Sequence, residues 1–339
     1  MSDMEIMKHG DEPTAVLALK SHVKSVDFPE SLVNGLSKRF PNVKFRIVSF
    51  HPQQVDHLSE AEILYTYTIT PALLGAAPKL KWFHSVVTGP DTYTFPELIN
   101  RNIIVTSPRG IYAVPIAETA LGLMLSLTRK IQDSILLQTK RCWAAIDIYN
   151  SFPPAGELYE STIVIFGQGG IGTALAQRCH ALGMRVIGVV PTPRLKPDFV
   201  DELILPNNLG DVLKIADFVA LACPLTGQTK GLIGRRELGL MKKTAYLINI
   251  ARGELVDETA LVKALKSGTI GGAACDVFTT EPLPADHPFY TTPNMIVMPH
   301  VSGWSARFWE RAVERFATNL ELYLNRKPLI GEVDFNRGY

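Results

Sequence analysis

Residues 162–190 read TIVIFGQGGIGTALAQRCHALGMRVIGVV. The stretch opens with a β-rich apolar run (162–166), continues with apolar residues at helical spacing (171–182) and closes with a second β-rich run (185–190). Strand, turn, helix and strand in that order make one βαβ unit, whose two strands lie parallel. The turn is GQGGIG, with Gly167, Gly169 and Gly172 at the spacing G-x-G-x-x-G. Gly167 permits the tight turn, Gly169 lets the backbone approach a pyrophosphate, and Gly172 lets the helix pack closely on the strand. A pyrophosphate would then sit on the positive end of the helix that begins near Ile171. The stretch therefore reads as a dinucleotide-binding unit.

In such units an acidic side chain about 20 residues past the glycines commonly bonds the ribose 2′-hydroxyl. Here the second strand ends at Val189-Val190 and runs into Pro191-Thr192-Pro193-Arg194. A hydroxyl and a guanidinium, Thr192 and Arg194, suit a 2′-phosphate instead. NADP(H) is thus the expected preferred cofactor, with NAD(H) as the alternative. The bland reading of Arg194 is a solvated loop residue that stacks on adenine.

The same alternation extends in both directions. Upstream, strands are expected at 15–19, 44–50, 63–67, 82–87 and 103–106, with helices such as 29–40 and 71–77 between them. A helix at 115–129 carries apolar residues on nearly every face, which predicts burial all round at a domain junction or subunit interface. A loose segment at 150–157, with Pro153, Pro154 and Gly156, precedes the dinucleotide unit. Downstream come strands at 218–222, 245–250, 272–277 and 295–298 and a helix at 258–266, giving a sheet of about six strands. A final amphipathic helix at 306–324 has no following strand and is expected to pack back on the first series. The class is α/β with parallel sheets.

Composition excludes several other classes. The chain has 339 residues, enough for about two domains. Lys+Arg number 34 against 33 Asp+Glu, so no positive excess draws the chain to nucleic acid or an anionic membrane. The longest strongly apolar stretch, 111–128, is interrupted by Glu118 and cannot span a bilayer. The first residues carry Asp3, Glu5, Lys8, Asp11 and Glu12 without an apolar core, which reads as no secretory signal and a cytoplasmic protein. Cys142, Cys179, Cys223 and Cys275 form no CxxC pair, so no metal site is expected, and the four read as buried small hydrophobes.

Three later segments carry chemistry: INIARGELVDE with Arg252, GAACDVFTTEPLP with Asp276 and Glu281, and MPHVSG with His300. Arg252 and His300 each follow an expected strand and Asp276 stands at the end of one, at the edge where parallel sheets take their ligands. Reduction of a 2-keto acid needs a fixed cation for the carboxylate and ketone, a proton donor active near neutral pH, and a carboxylate to orient that donor. Arg252, His300 and Glu281 fill those roles in turn. His9, His22, His51, His57, His84, His180 and His287 have no motif around them and read as surface or packing residues.

The combination GQGGIG, ACPLT, NIARG, CDVFTTEPLP and PHVSG resembles the D-isomer-specific 2-hydroxyacid dehydrogenases, and within them the glyoxylate/hydroxypyruvate reductases. The resemblance implies two Rossmann-like domains with an interdomain active-site cleft: a substrate domain at 1–108, to which 304–339 returns, and a dinucleotide-binding domain at 109–303. It implies that Arg252 binds substrate, that Glu281 is the acidic partner, and that His300 is the acid/base. Asp276 would bond the nicotinamide carboxamide, and Gly170 and Ile171 would meet the pyrophosphate. Cys223, Pro224, Ile250, His300 and Gly303 would line the cofactor site. Backbone amides around Thr88 and Gly89, in SVVTGPD, would grip the substrate carboxylate. The expected product is a D-2-hydroxy acid and the expected assembly a homodimer. Trp143 is either a core anchor or a residue reaching a partner subunit's pocket. The alternatives are a phosphite or formate dehydrogenase-like enzyme, or a cofactor-sensing corepressor of the same fold.

Overall fold

The computed structural model describes residues 12–20, 27–49, 51 and 56–335. The charged N-terminal segment up to Asp11, His9, His22 and Phe50 lie outside them. The chain divides between Ile111 and Tyr112, and again between Ser305 and Ala306, into two units. The first unit thus takes sequence from both sides of the second.

The first unit holds β1 (Thr14–Lys20), α1 (Glu30–Arg39), β2 (Lys44–Ser49), β3 (Ile63–Thr66), α2 (Pro71–Ala76), β4 (Trp82–Ser85), α3 (Pro96–Asn100) and β5 (Ile104–Thr106). Its five strands are parallel in the order β2-β1-β3-β4-β5. One face buries Val16, Ala18, Leu64, Phe83 and Val105. Tyr65, Trp82 and His84 are buried too, and Phe316 stacks on Tyr65 and Trp82 at ring-centre distances of 4.6 and 5.3 Å.

The second unit begins with α4 (Ala113–Thr128), α5 (Ile131–Thr139) and α6 (Ala145–Tyr149). It continues with β6 (Thr162–Phe166), α7 (Gly170–Ala181), β7 (Arg185–Val189), β8 (Glu202–Ile204), α8 (Leu209–Ile215), β9 (Phe218–Leu221) and α9 (Arg235–Leu240). β10 (Tyr246–Asn249), α10 (Glu258–Lys266), β11 (Gly272–Cys275) and β12 (Met295–Val297) complete it. Phe316 belongs to α11 (Phe308–Leu324), which returns to the first unit. The second sheet has seven parallel strands in the order β12-β11-β10-β9-β6-β7-β8. Val164, Phe166, Ile187 and Val189 pack in one core and Ile163, Ile165, Val186 and Ala220 in another, so both faces are covered. That double burial is why these strands are apolar without alternation. Both units are doubly wound α/β domains.

Four expectations need correction. The second sheet has seven strands rather than about six. The extra one, β8, is three residues long between Pro197 and Pro206, too short to show a period. The helix expected at 115–129 begins at Ala113 and is not buried all round: Glu118 and Gly122 are exposed, and Leu121 and Leu125 half-buried. Trp143 is no core anchor, because it is 96% exposed. Cys142 is exposed as well, whereas Cys179 and Cys275 are buried and Cys223 is half-buried. Among the described residues no helix is long and apolar enough to cross a membrane.

Candidate active site

The register of the second sheet puts one row of residues at its carboxyl edge: Phe166 pairs with Leu221, Leu221 with Asn249, Asn249 with Cys275, and Cys275 with Val297. Backbone bonds carry the row one step further, from Asp276 N–H to the Asn249 carbonyl at 3.0 Å and from Met298 N–H to that of Cys275 at 2.9 Å. β6 and β9 are neighbours although the chain runs outward to β8 between them. That reversal is the switch point where open α/β sheets take ligands. Gly167, Arg252, Asp276 and His300 lie within three residues of this row.

At the end of β6, Gly167 has φ +87°, a conformation that only glycine adopts freely. A Cβ there would also meet the Ala222 carbonyl oxygen at 2.7 Å. Gly172 fits against the turn so closely that a Cβ would lie 1.9 Å from the Gly167 oxygen. Gly169 is the N-cap of α7, no side chain caps the helix, and nothing lies within 4 Å of where its Cβ would be. These are the features a pyrophosphate requires: bare backbone, close access and a helix N-terminus with Gly170 and Ile171 in its first turn. Arg194 donates from Nη2 to the Gln168 carbonyl at 2.6 Å, which ties the loop after β7 to this turn. Thr192 and Pro224 are exposed. Ile250 is buried, and burial pushes the Cys223 thiol up to about 11. The residues present fit a dinucleotide.

His300 follows β12 in the left-handed region, φ +53°, where histidine is tolerated better than most residues. Two bonds to one buried carboxylate hold it there. Asp276, wholly buried after β11, accepts from Val301 N–H at 2.9 Å and from Ser302 N–H at 3.0 Å. The His300 ring meets Glu281 through Nδ1, 2.7 Å from Oε2. The other Glu281 oxygen accepts from Phe278 N–H at 2.9 Å. An ionised carboxylate only accepts, so Nδ1 carries the shared proton and Nε2 is the ring nitrogen left for chemistry. Gly303 packs where a Cβ would come within 2.7 Å of the Tyr112 ring.

Arg252 stands three residues past β10 in extended conformation and donates from Nη1 to the Ala251 carbonyl at 2.7 Å. Its backbone is set by Asn249, a buried amide that donates to the Arg252 carbonyl at 2.8 Å and accepts from Ala251 N–H at 3.2 Å. Gly253 presses on the Glu281 loop: a Cβ would lie 2.0 Å from the Phe278 carbonyl carbon and 2.2 Å from the Thr279 nitrogen. Glu258, at the start of α10, accepts from Thr279 N–H at 2.8 Å and pairs with His287 at 3.6 Å. The structure thus brings Arg252, Asp276, Glu281 and His300 onto one edge with the Gly-rich turn. Thr88 and Gly89 lie in the first unit, just past the carboxyl end of β4, in a loop held by Ser85 Oγ and the Thr92 hydroxyl.

The roles of Asn249, Gly253 and Glu258 escaped the motif reading, although NIARG holds the first two. A polar residue inside the apolar run 245–250 was the available signal for Asn249. Nothing in a single sequence marks Gly253 or Glu258 as loop spacers.

A sequence profile described as D-isomer specific 2-hydroxyacid dehydrogenase, NAD binding domain, matches residues 121–302. The glyoxylate reductase of Thermofilum pendens is 37% identical over 262 residues, 76% of this chain and 76% of its own. Glyoxylate/hydroxypyruvate reductase B of Citrobacter koseri is 32% identical over 282 residues, 80% of this chain and 85% of its own. A crystal structure of a family protein from Aeromonas salmonicida superposes with a TM-score of 0.78 at 29% identity, covering 96% of this chain and 100% of that one. A second, from Xanthobacter autotrophicus and in complex with NADPH and MES, gives 0.80 at 25% identity, covering 97% and 100%.

Proposed function

The chain belongs to the D-isomer specific 2-hydroxyacid dehydrogenase family, and from that premise we propose that it reduces glyoxylate or hydroxypyruvate to the D-2-hydroxy acid with NADPH. As a member it is an NAD(P)-dependent oxidoreductase acting between 2-keto and 2-hydroxy acids. The observation that carries the reading is the His300–Glu281 pair on the same sheet edge as Arg252. The substrate choice is supported by the two reductases named above.

The cofactor, when bound, supplies the hydride. Residues of the turn from Gly167 to Gly172, with Thr192, Arg194, Cys223, Pro224, Ile250 and Gly303, would hold it. The Arg252 guanidinium binds the substrate carboxylate with planar paired donors and polarises the ketone. His300 gives a proton from Nε2 to the oxygen that becomes the hydroxyl. Glu281 holds Nδ1 and stabilises the ring while it carries positive charge. We assign Asp276 first to positioning, since both its oxygens already fix the His300 loop. Thr88 and Gly89 sit at the sheet edge where such folds take ligands, and their backbone amides are assigned to the substrate carboxylate.

NADPH is favoured because Val190 leaves no carboxylate to repel a 2′-phosphate, and Arg194 is tied to the turn that would bind it. One charge-assisted contact contributes roughly 1.5–3 kcal/mol, or about one to two orders of magnitude in affinity. The test is oxidation of NADPH and NADH with glyoxylate, hydroxypyruvate and larger 2-keto acids, beside reduction of NADP by formate and phosphite. Turnover of the two small keto acids is expected, with kcat/KM favouring NADPH by at least about tenfold. No turnover with any keto acid overturns the reading, and turnover of formate or phosphite replaces it. The homodimer is supported by an exposed apolar surface over 131–152, which includes Ile135, Leu136, Trp143, Ile146 and Tyr149.

A further inference from the structure

Gln168 is the second residue of the Gly-rich turn, and it is 5% exposed. Its side chain lies across β7 at Gly188, where a Cβ would come 2.8 Å from Gln168 Cγ and 2.9 Å from its Nε2. Neither Nε2 nor Oε1 has a hydrogen-bond partner among the described residues. A buried donor and a buried acceptor left unmet destabilise a fold, and a leucine or methionine would fill the same space without that loss. The carbonyl of the same residue is engaged twice: it accepts from Arg194 Nη2 at 2.6 Å and from the Thr173 hydroxyl at 3.1 Å. One corner of the sheet edge therefore holds an unsatisfied amide, the Arg194 guanidinium and the end of β7.

We propose that the Gln168 amide is a specificity-determining group of the dinucleotide site, which hydrogen-bonds the 2′ side of the adenosine ribose. This rests on the reading of the Gly-rich turn as that site. An amide offers both bonding senses in one neutral group. Nε2 gives a hydrogen bond to a phosphate oxygen and Oε1 takes one from a ribose hydroxyl. Being uncharged, it does not repel a 2′-phosphate as a carboxylate does. Arg194 supplies the charge, and a phosphate is a stronger acceptor for it than the Gln168 carbonyl is. Arg194 bonds the carbonyl of the same residue, so the two groups would act on the same ligand edge.

The test uses adenosine 2′,5′-bisphosphate and 5′-ADP, titrated calorimetrically into the wild type, Gln168→Met and Gln168→Leu. Melting of each protein alone is measured beside the titrations. Both variants are expected to bind the bisphosphate about three- to tenfold more weakly. Both are also expected to melt about 2–4 °C higher, because the unmet polar atoms are gone. A glutamine with a purely structural role does not move stability up and affinity down together. Variants that bind the bisphosphate as tightly as the wild type overturn the inference and leave the cofactor reading standing. Variants that melt lower and bind worse trace the loss to a damaged turn, which also overturns it. A wild type that binds neither nucleotide, nor NADPH or NADH, removes the cofactor reading and this inference with it.

Discussion

Glu281 accepts two N–H donors with two oxygens, Phe278 N–H on one and His300 Nδ1 on the other. Glutamine has one acceptor oxygen, so Glu281→Gln leaves one of these donors facing an NH₂ group. The expected outcome is a fall in kcat of at least about tenfold, with the dissociation constant for NADPH unchanged; steady-state kinetics beside a fluorescence titration check it. His84 shows the opposite use of a histidine. The Trp82 indole donates to the Thr106 hydroxyl at 2.8 Å, and that hydroxyl shares a hydrogen bond with His84 Nδ1 at 2.6 Å. Burial, with the nearby Arg315 charge, pushes His84 down to about 3. The unfolded chain takes up this proton below about 6.5, whereas the folded chain refuses it until about 3. Stability is therefore lost as pH falls through that window, by about 1.4 kcal/mol for each pH unit. Urea unfolding between pH 7 and 4.5 is expected to show this slope in the wild type and a flatter one in His84→Gln.

Two loops of the site are spaced by a single hydrogen atom, the one at Gly253 where any other residue has a Cβ. Gly253→Ala must push the Arg252 loop away from Phe278 and Thr279, and with it the mounting of Glu281. A loss of roughly 1–3 kcal/mol in stability is expected, together with a fall in kcat/KM. Gly227→Ala, where nothing lies within 4 Å of the new Cβ, is the control that changes neither. Thermal melting and kinetics on both variants decide it. The contrast marks what was legible in the sequence. Arg252, Glu281 and His300 stood out because polar residues after apolar runs at a sheet edge are chemically conspicuous. Gly253 and Gln168 work through distances to residues far along the chain, which spacing does not encode. Elements behave alike: β6 and β7 are largely apolar runs on either side of the Gly-rich turn and its helix, whereas β8 is too short to show a run, and α5 buries none of its residues.

Over the whole molecule, the long strands and the turn chemistry were readable, while the surface over 131–152 was not. Its residues look like ordinary core residues in sequence, yet Trp143, Ile146 and Tyr149 are 96%, 66% and 76% exposed. Water against so many exposed apolar side chains is unfavourable, and a second copy of the chain would cover them. Trp143→Ser combined with Ile146→Ser is expected to yield monomers in sedimentation velocity without lowering the melting temperature of the isolated chain. A wild type that sediments as a monomer sinks the idea. The return of α11 to the first unit has a different consequence, in time rather than space. Phe316 stacks on Tyr65 and Trp82, and the Tyr323 hydroxyl reaches Glu62 across 261 positions of sequence. As the chain leaves the ribosome, all seven strands of the second sheet emerge before that helix does. The nucleotide unit can fold while its elder neighbour waits with an aromatic face bare. The part made first is the part finished last, and it is there that a nascent chain has most need of a chaperone.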